Sequence, residues 1–223
     1  KEFMKKKSLS DYSQMPSVVK QIIDFLYSKD FLDFLERKFQ LKNLEADWTL
    51  HGGGMHESFK GGFLKVHSDF IYMRKSKLKR RLNLLLYLNS NWNENWRGSV
   101  ELWDKEMKTC KKKYLPSFNT MVIFGTTDFS NHGHPDPLTC PDDRSRKSIA
   151  TYYYSDGRPK EEIIHRQLKN RTYFKDRAGY INETLKKNEN IKDFFRRFNF
   201  YQNLKKIEKK FFRTGKSKKN REK

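Results

Sequence analysis

The sequence predicts a mainly β fold, a sandwich or jelly roll carrying helical decoration. Three observations predict it. Short runs of apolar residues, several of them alternating, recur between residues 63 and 154, with turn residues between them. Ahead of them, residues 18–39 carry apolar side chains at helical spacing. Behind them, a helical period returns among densely placed Lys and Arg.

Each element follows from its own residues. Val19, Ile22, Ile23 and Leu26 form one helical stripe, and Phe31, Phe34 and Leu35 a second. Ser28-Lys29-Asp30 breaks the two apart, Ser and Asp being helix-starting residues. Residues 1–47 therefore read as an N-terminal helical support. His51-Gly52-Gly53-Gly54 reads as a loop and Gly61-Gly62 as a turn. Phe63 to Phe70 alternates and reads as a strand, while Arg80 to Asn89 is apolar over most of its length, as a strand buried on both faces is. Val100 to Asp104, Lys111 to Leu115, Thr120 to Thr126 and Lys147 to Tyr154 supply further strands, separated by turns that include Arg97-Gly98, Pro116-Ser117 and Asp142-Asp143. These strands delimit a core over 48–157. Residues 158–223 read as a basic helical extension, with Ile191, Phe194, Phe195, Phe198, Tyr201, Leu204, Ile207 and Phe211 as one apolar stripe.

The composition limits what the chain can do. Lys and Arg number 48 against 27 Asp and Glu, a net charge of +21. From Arg158 onward 22 basic and 8 acidic residues account for +14 of it, so the predicted core is only modestly basic. No apolar stretch reaches the roughly 20 residues that a membrane-crossing helix needs. Two cysteines, Cys110 and Cys140, are too few for a disulfide scaffold and read as reduced thiols of a cytoplasmic protein. The start lacks the apolar segment of a secretory leader and an initiator Met, from which further sequence upstream is expected.

Three groups of residues can carry chemistry. In a strand, His67 and Asp69 of His67-Ser68-Asp69 point to one face, so an imidazole and a carboxylate converge. Such a triplet is common by chance, but apolar neighbours Phe63, Val66 and Phe70 make this one unusual. The second group, Asn131-His132-Gly133-His134-Pro135-Asp136-Pro137, follows the strand Met121 to Phe124. One histidine from it would complete a two-His, one-carboxylate set, which holds Fe(II) on one face and leaves three positions open. An ordinary turn is the rival reading, and a closed zinc site is disfavoured because no cysteine cluster accompanies it. In the third group Arg146, Ser148 and Ala150 share a strand face, where small neighbours leave Arg146 room for a bidentate carboxylate partner. Asn83 and Tyr87 share a face with Leu85 on the Arg80–Asn89 strand.

These pieces stand in a fixed order: Gly61-Gly62-Phe63-Leu64-Lys65-Val66-His67-Ser68-Asp69, then Arg81-Leu82-Asn83 through Tyr87-Leu88-Asn89, Trp96-Arg97-Gly98 through Leu102-Trp103-Asp104, Val122-Ile123-Phe124 leading to His132-Gly133-His134-Pro135-Asp136-Pro137-Leu138, and Arg146-Lys147-Ser148-Ile149-Ala150 through Tyr152-Tyr153-Tyr154. Over residues 48 to 156 the chain resembles the 2-oxoglutarate- and Fe(II)-dependent dioxygenases, in particular their prolyl 4-hydroxylase-like branch. The resemblance implies a double-stranded β-helix, a cupin-like jelly roll, with the metal inside one end. It implies His67, Asp69 and His132 as iron ligands, Arg146 as the partner of the far carboxylate of 2-oxoglutarate, and Tyr87 as a hydrogen-bond donor to that carboxylate. Asn83 would touch co-substrate or substrate. The interval from His132 to Arg146 is longer than in typical prolyl hydroxylases, which leaves His134 as a minor alternative ligand. Two neutral imidazoles and one carboxylate would leave an Fe(II) centre at net charge +1. Cofactors implied are Fe(II), 2-oxoglutarate and O₂, with ascorbate as an accessory reductant.

The substrate is the least legible feature. The resemblance favours a prolyl residue of a peptide or protein, and the same chemistry on a small molecule or sugar is the first alternative. Residues 55–60 and 72–79 are expected as loops at the mouth, the basic run Arg74 to Arg81 being either a solvated lid or an attractor of acidic substrate. A second alternative is a non-enzymatic protein that binds nucleic acid or an anionic surface through its basic tail.

Overall fold

The computed structural model describes residues 5–73, 76–162, 172–175 and 177. Its contacts divide the chain into Lys1–Ala178 and Gly179–Lys223. The second unit, with the apolar stripe Ile191 to Phe211, lies outside the described residues.

Two helices come first, α1 (Ser17–Leu26) and α2 (Lys29–Phe39). The Ser28 hydroxyl caps α2 by accepting from the Phe31 amide at 3.3 Å. The described residues also form eleven strands: β1 (Lys6–Leu9), β2 (Glu45–Ala46), β3 (Gly54–Ser58), β4 (Leu64–Ser68), β5 (Lys79–Tyr87), β6 (Val100–Trp103), β7 (Cys110–Tyr114), β8 (Thr120–Gly125), β9 (Asn131–His134), β10 (Arg146–Ser155) and β11 (Tyr173–Phe174). One sheet has the order β1-β3-β10-β5-β8, with β2 paired to β10, and the other has the order β11-β4-β9-β6-β7. All of these pairs are antiparallel. The architecture is the jelly roll that the strand spacing predicts.

Period-two alternation sorts the side chains of β5 and β10 between two cores. Leu82, Leu84, Leu86, Ile149 and Tyr153 leave the sheet on one side and pack with Val19, Ile23, Leu26, Phe31 and Leu35 of the helices. The Tyr153 hydroxyl donates to the Leu26 carbonyl at 3.0 Å, joining helix to sheet. On the opposite side Tyr87 and Leu85 meet Val122 and Phe124 of β8 and Val100 and Leu102 of β6, which closes the space between the sheets. The functional residues lie on this inner face.

Several elements differ from the sequence reading. Residues 54–58 form strand β3 rather than a loop. Its inner face carries His56 and Ser58, so the apolar alternation that announces a strand is missing there. Strand β1 also escaped notice, being Lys6-Lys7-Ser8-Leu9. Within 158–223 the described residues continue the sandwich rather than start a helical extension. Arg158 is buried, pairs with Asp128 at 3.5 Å and donates to the carbonyls of Arg80 and Thr126. Strand β11 pairs with β4, and Arg177 bonds Asp136 at 2.9 Å and Glu101 at 3.4 Å. Both cysteines are free. No helix among the described residues is long and apolar enough to cross a membrane.

Candidate active site

The site is assembled from the middles of two neighbouring strands and the residue just beyond one of them. His67 of β4 stands directly opposite His132 of β9. Their ring centroids are 4.5 Å apart, and Phe124 lies 4.7 Å from His132. Asp69 follows β4 and returns its carboxylate to the same face, as the i, i+2 spacing predicts. Gly133 allows β9 to approach β4 closely, since a Cβ there would stand 2.7 Å from the Leu64 carbonyl oxygen.

The ring orientations are set by the backbone. His67 Nδ1 lies 2.8 Å from the Lys65 carbonyl and His132 Nδ1 lies 2.9 Å from the Ser130 carbonyl. A carbonyl can only accept, so each Nδ1 carries the proton and each Nε2 presents a lone pair. Those two Nε2 atoms sit 3.4 Å from Asp69 Oδ1 and Oδ2 respectively. Lone pairs facing carboxylate oxygens repel, and a cation between them removes the repulsion. The ligand atoms of His67, Asp69 and His132 lie within 4.8 Å of one another. The donor set thus fits a divalent ion of the Fe(II) type, with carbonyl partners fixing both imidazoles. His134 shares the inner face but stands outside this group; its Nδ1 is buried with no partner among the described residues.

Charges shape the cluster further. Burial pushes the Asp69 carboxyl up, but the Arg80 guanidinium outweighs it and holds the group well below its ordinary 3.8. Burial, opposed by Asp69, lowers the His132 imidazole from 6.5 to about 4. Asn83 donates to Asp69 Oδ2 at 2.6 Å and accepts from Arg80 Nη1 at 3.3 Å. Its inner-face position agrees with the sequence, and its amide holds the Asp69 carboxylate.

A second group of inner-face residues lies along β10. Arg146 is 6% exposed. Its Nε donates to the Gly98 carbonyl at 2.7 Å and its Nη2 to the Tyr87 hydroxyl at 3.1 Å. Gly98 has φ 82°, and a Cβ there would meet Leu138 at 2.5 Å and Arg146 Cδ at 3.0 Å, so a residue without a side chain is needed to aim this carbonyl. Burial lowers the Arg146 guanidinium, only partly offset by Tyr87, and no carboxylate among the described residues pairs with it. Lys6 and His56 share the inner face through the rows Lys6–Ser58–Arg146 and His56–Ser148–Tyr87. Burial, then Arg146, pulls Lys6 down to about 8, and burial, then Lys6, pulls His56 down to about 3. Neither was found from the sequence, because the strands that carry them were not.

Arg80 was also missed. The sequence placed it both in a basic run, read as a solvated lid or an attractor of acidic substrate, and at the start of the buried strand; it is 0% exposed and bonds Asp69 at 3.0 Å. The signal for its burial is its place at the start of the Arg80–Asn89 strand, apolar over most of its length.

Residues 53–154 match the family model of the 2OG-Fe(II) oxygenase superfamily. Solved structures similar to this chain include prolyl 4-hydroxylases. One from Phytophthora capsici is 20% identical, with 67% of this chain and 47% of that one covered and a TM-score of 0.45. One from Pseudomonas putida is 16% identical, with 68% and 72% covered and a TM-score of 0.44. A prolyl hydroxylase from Trichoplax adhaerens, solved with a peptide fragment of the hypoxia inducible factor oxygen degradation domain, is 19% identical, with 67% and 61% covered and a TM-score of 0.44. The match thus spans about half the length of the first of these chains. A search of curated proteins finds no match.

Proposed function

We infer that the protein is an Fe(II)- and 2-oxoglutarate-dependent dioxygenase that hydroxylates an unactivated C–H bond. The observation that carries this reading is Arg146. It is a buried cation with no carboxylate among the described residues, aimed by Gly98 and Tyr87 into the same interior as the His67–Asp69–His132 cluster. A buried charge is costly until a counter-ion reaches it, and the far carboxylate of a keto diacid is a suitable one.

In this reading His67, Asp69 and His132 would hold the iron, and Arg146 and Tyr87 would bind the distal carboxylate. Fe(II), 2-oxoglutarate and O₂ together supply the oxidative chemistry: one oxygen atom enters the substrate C–H bond, the other enters succinate, and CO₂ leaves. Motif resemblance to the prolyl 4-hydroxylase-like branch favours a prolyl residue of a peptide or protein as substrate.

Purified protein with Fe(II) and 2-oxoglutarate, kept anaerobic, is expected to show a weak visible charge-transfer band, and on admission of air to form succinate slowly. His67→Ala is expected to abolish both. Absence of band and succinate in the wild type, or a His67→Ala variant that matches it, overturns the reading. Mass spectrometry of proline-containing peptides is expected to show the gain of one oxygen atom; a product on small molecules alone would move the substrate to that class.

A further inference from the structure

Arg80 reaches the site through an irregularity in β5. Tyr152 pairs with Asn83, Tyr153 with Leu82, and Tyr154 with Arg80, so Arg81 is an extra residue in the ladder. Such a bulge reverses which face the preceding residue takes. It brings Arg80 to the same face as Asn83, three positions away, which a regular strand cannot do.

Once inside, the side chain is held on every side. Its guanidinium carbon lies 3.9 Å from the Phe70 ring centroid and 3.7 Å from that of Tyr152. Nη1 pairs with Asp69 Oδ2 at 3.0 Å, and Nε donates to the Tyr154 hydroxyl at 3.2 Å. Nη2 is buried without a hydrogen-bond partner among the described residues. A guanidinium keeps its charge at any pH at which the protein is folded. The centre therefore contains a fixed positive charge besides that of any metal.

That charge acts in opposite directions on two ligands. It repels a divalent ion and shares the Asp69 carboxylate with it, which weakens metal binding. It also raises the loaded centre from +1 to +2, the charge that a dianionic keto acid neutralises. We propose that Arg80 is a charge-setting positioning residue, which holds Asp69 by one oxygen and exchanges metal affinity for affinity toward a dianionic co-substrate. The proposal rests on the dioxygenase reading of the site.

The test uses the full chain and two neutral variants, Arg80→Met, whose side chain can occupy the slot between the rings, and Arg80→Gln, which keeps a donor. Mn(II) affinity of the metal-free protein is read from the free-ion signal in electron paramagnetic resonance. The affinity of the Mn(II)-loaded protein for 2-oxoglutarate is read by calorimetry. Both variants are expected to bind Mn(II) more tightly and 2-oxoglutarate more weakly, each by about tenfold, while Arg80→Lys stays within about threefold of wild type for 2-oxoglutarate. Whichever neutral variant folds decides the matter, because opposite shifts cannot come from a loosened structure, which weakens both. Weakening of both ligands, or no change in either, overturns the inference while leaving the dioxygenase reading intact. A wild-type protein that binds Mn(II) but not 2-oxoglutarate overturns both.

Discussion

The environment of His132 determines when the cluster can accept a metal. Its ring is buried between His67 and Phe124, and burial brings its pKa from 6.5 to about 4. At neutral pH its imidazole is neutral, with its Nδ1 proton held by the Ser130 carbonyl. The same shift makes stability depend on pH. As pH falls through 6.5 the unfolded chain takes up a proton that the folded one refuses until about pH 4, so stability is lost across that interval. Asp69, held below its ordinary 3.8, extends the loss in the same direction at still lower pH. Urea unfolding of the metal-free protein is expected to lose on the order of 3 kcal/mol between those two limits from His132 alone. A flat profile would contradict the burial argument. At this scale much was legible in the sequence: His67 and Asp69 share a face because they are two residues apart in a strand, and His132 follows a strand that leads into the same space. Arg80 was not, because its face depends on a bulge.

Among the elements, β5 carries the greatest burden. One side faces the helices through Leu82, Leu84 and Leu86, and the other presents Asn83 and Tyr87 to the site. Packing on the helix side therefore holds the register that aligns Tyr87 with Ser148 and thence with Arg146. Leu84 is 0% exposed, and Leu84→Ala is expected to cost about 2–5 kcal/mol in chemical denaturation. A cost below about 0.5 kcal/mol, the range of surface substitutions, would show that the helices do not support the sheet there. The strands that were legible, β5 and β10 above all, are those with apolar residues on at least one face. Among those that were not, β1, β3 and β9 turn polar side chains inward, and hydrophobic alternation cannot report a strand whose inner face is polar.

For the whole molecule, charge and chemistry are separable in the sequence. Most of the +21 lies beyond Arg158, while the cluster, Arg146 and Arg80 lie within residues 67–146. The contacts place a boundary between Ala178 and Gly179. A chain ending at Ala178 is therefore expected to keep Mn(II) and 2-oxoglutarate affinities within about threefold of the full protein, measured by calorimetry. Loss of either would assign part of the site to residues 179–223. The sequence by itself determined the jelly-roll class and the residues that meet at the candidate metal site, because strand periodicity and the order of spaced motifs are local properties of the chain. The tertiary structure alone decided that Lys6 and His56 share the inner face with Arg146, that Asn83 braces Asp69, and that Arg80 turns inward. Each of these depends on which strands pair and where the ladder slips by one residue, and pairing register is set by contacts between segments far apart in the chain.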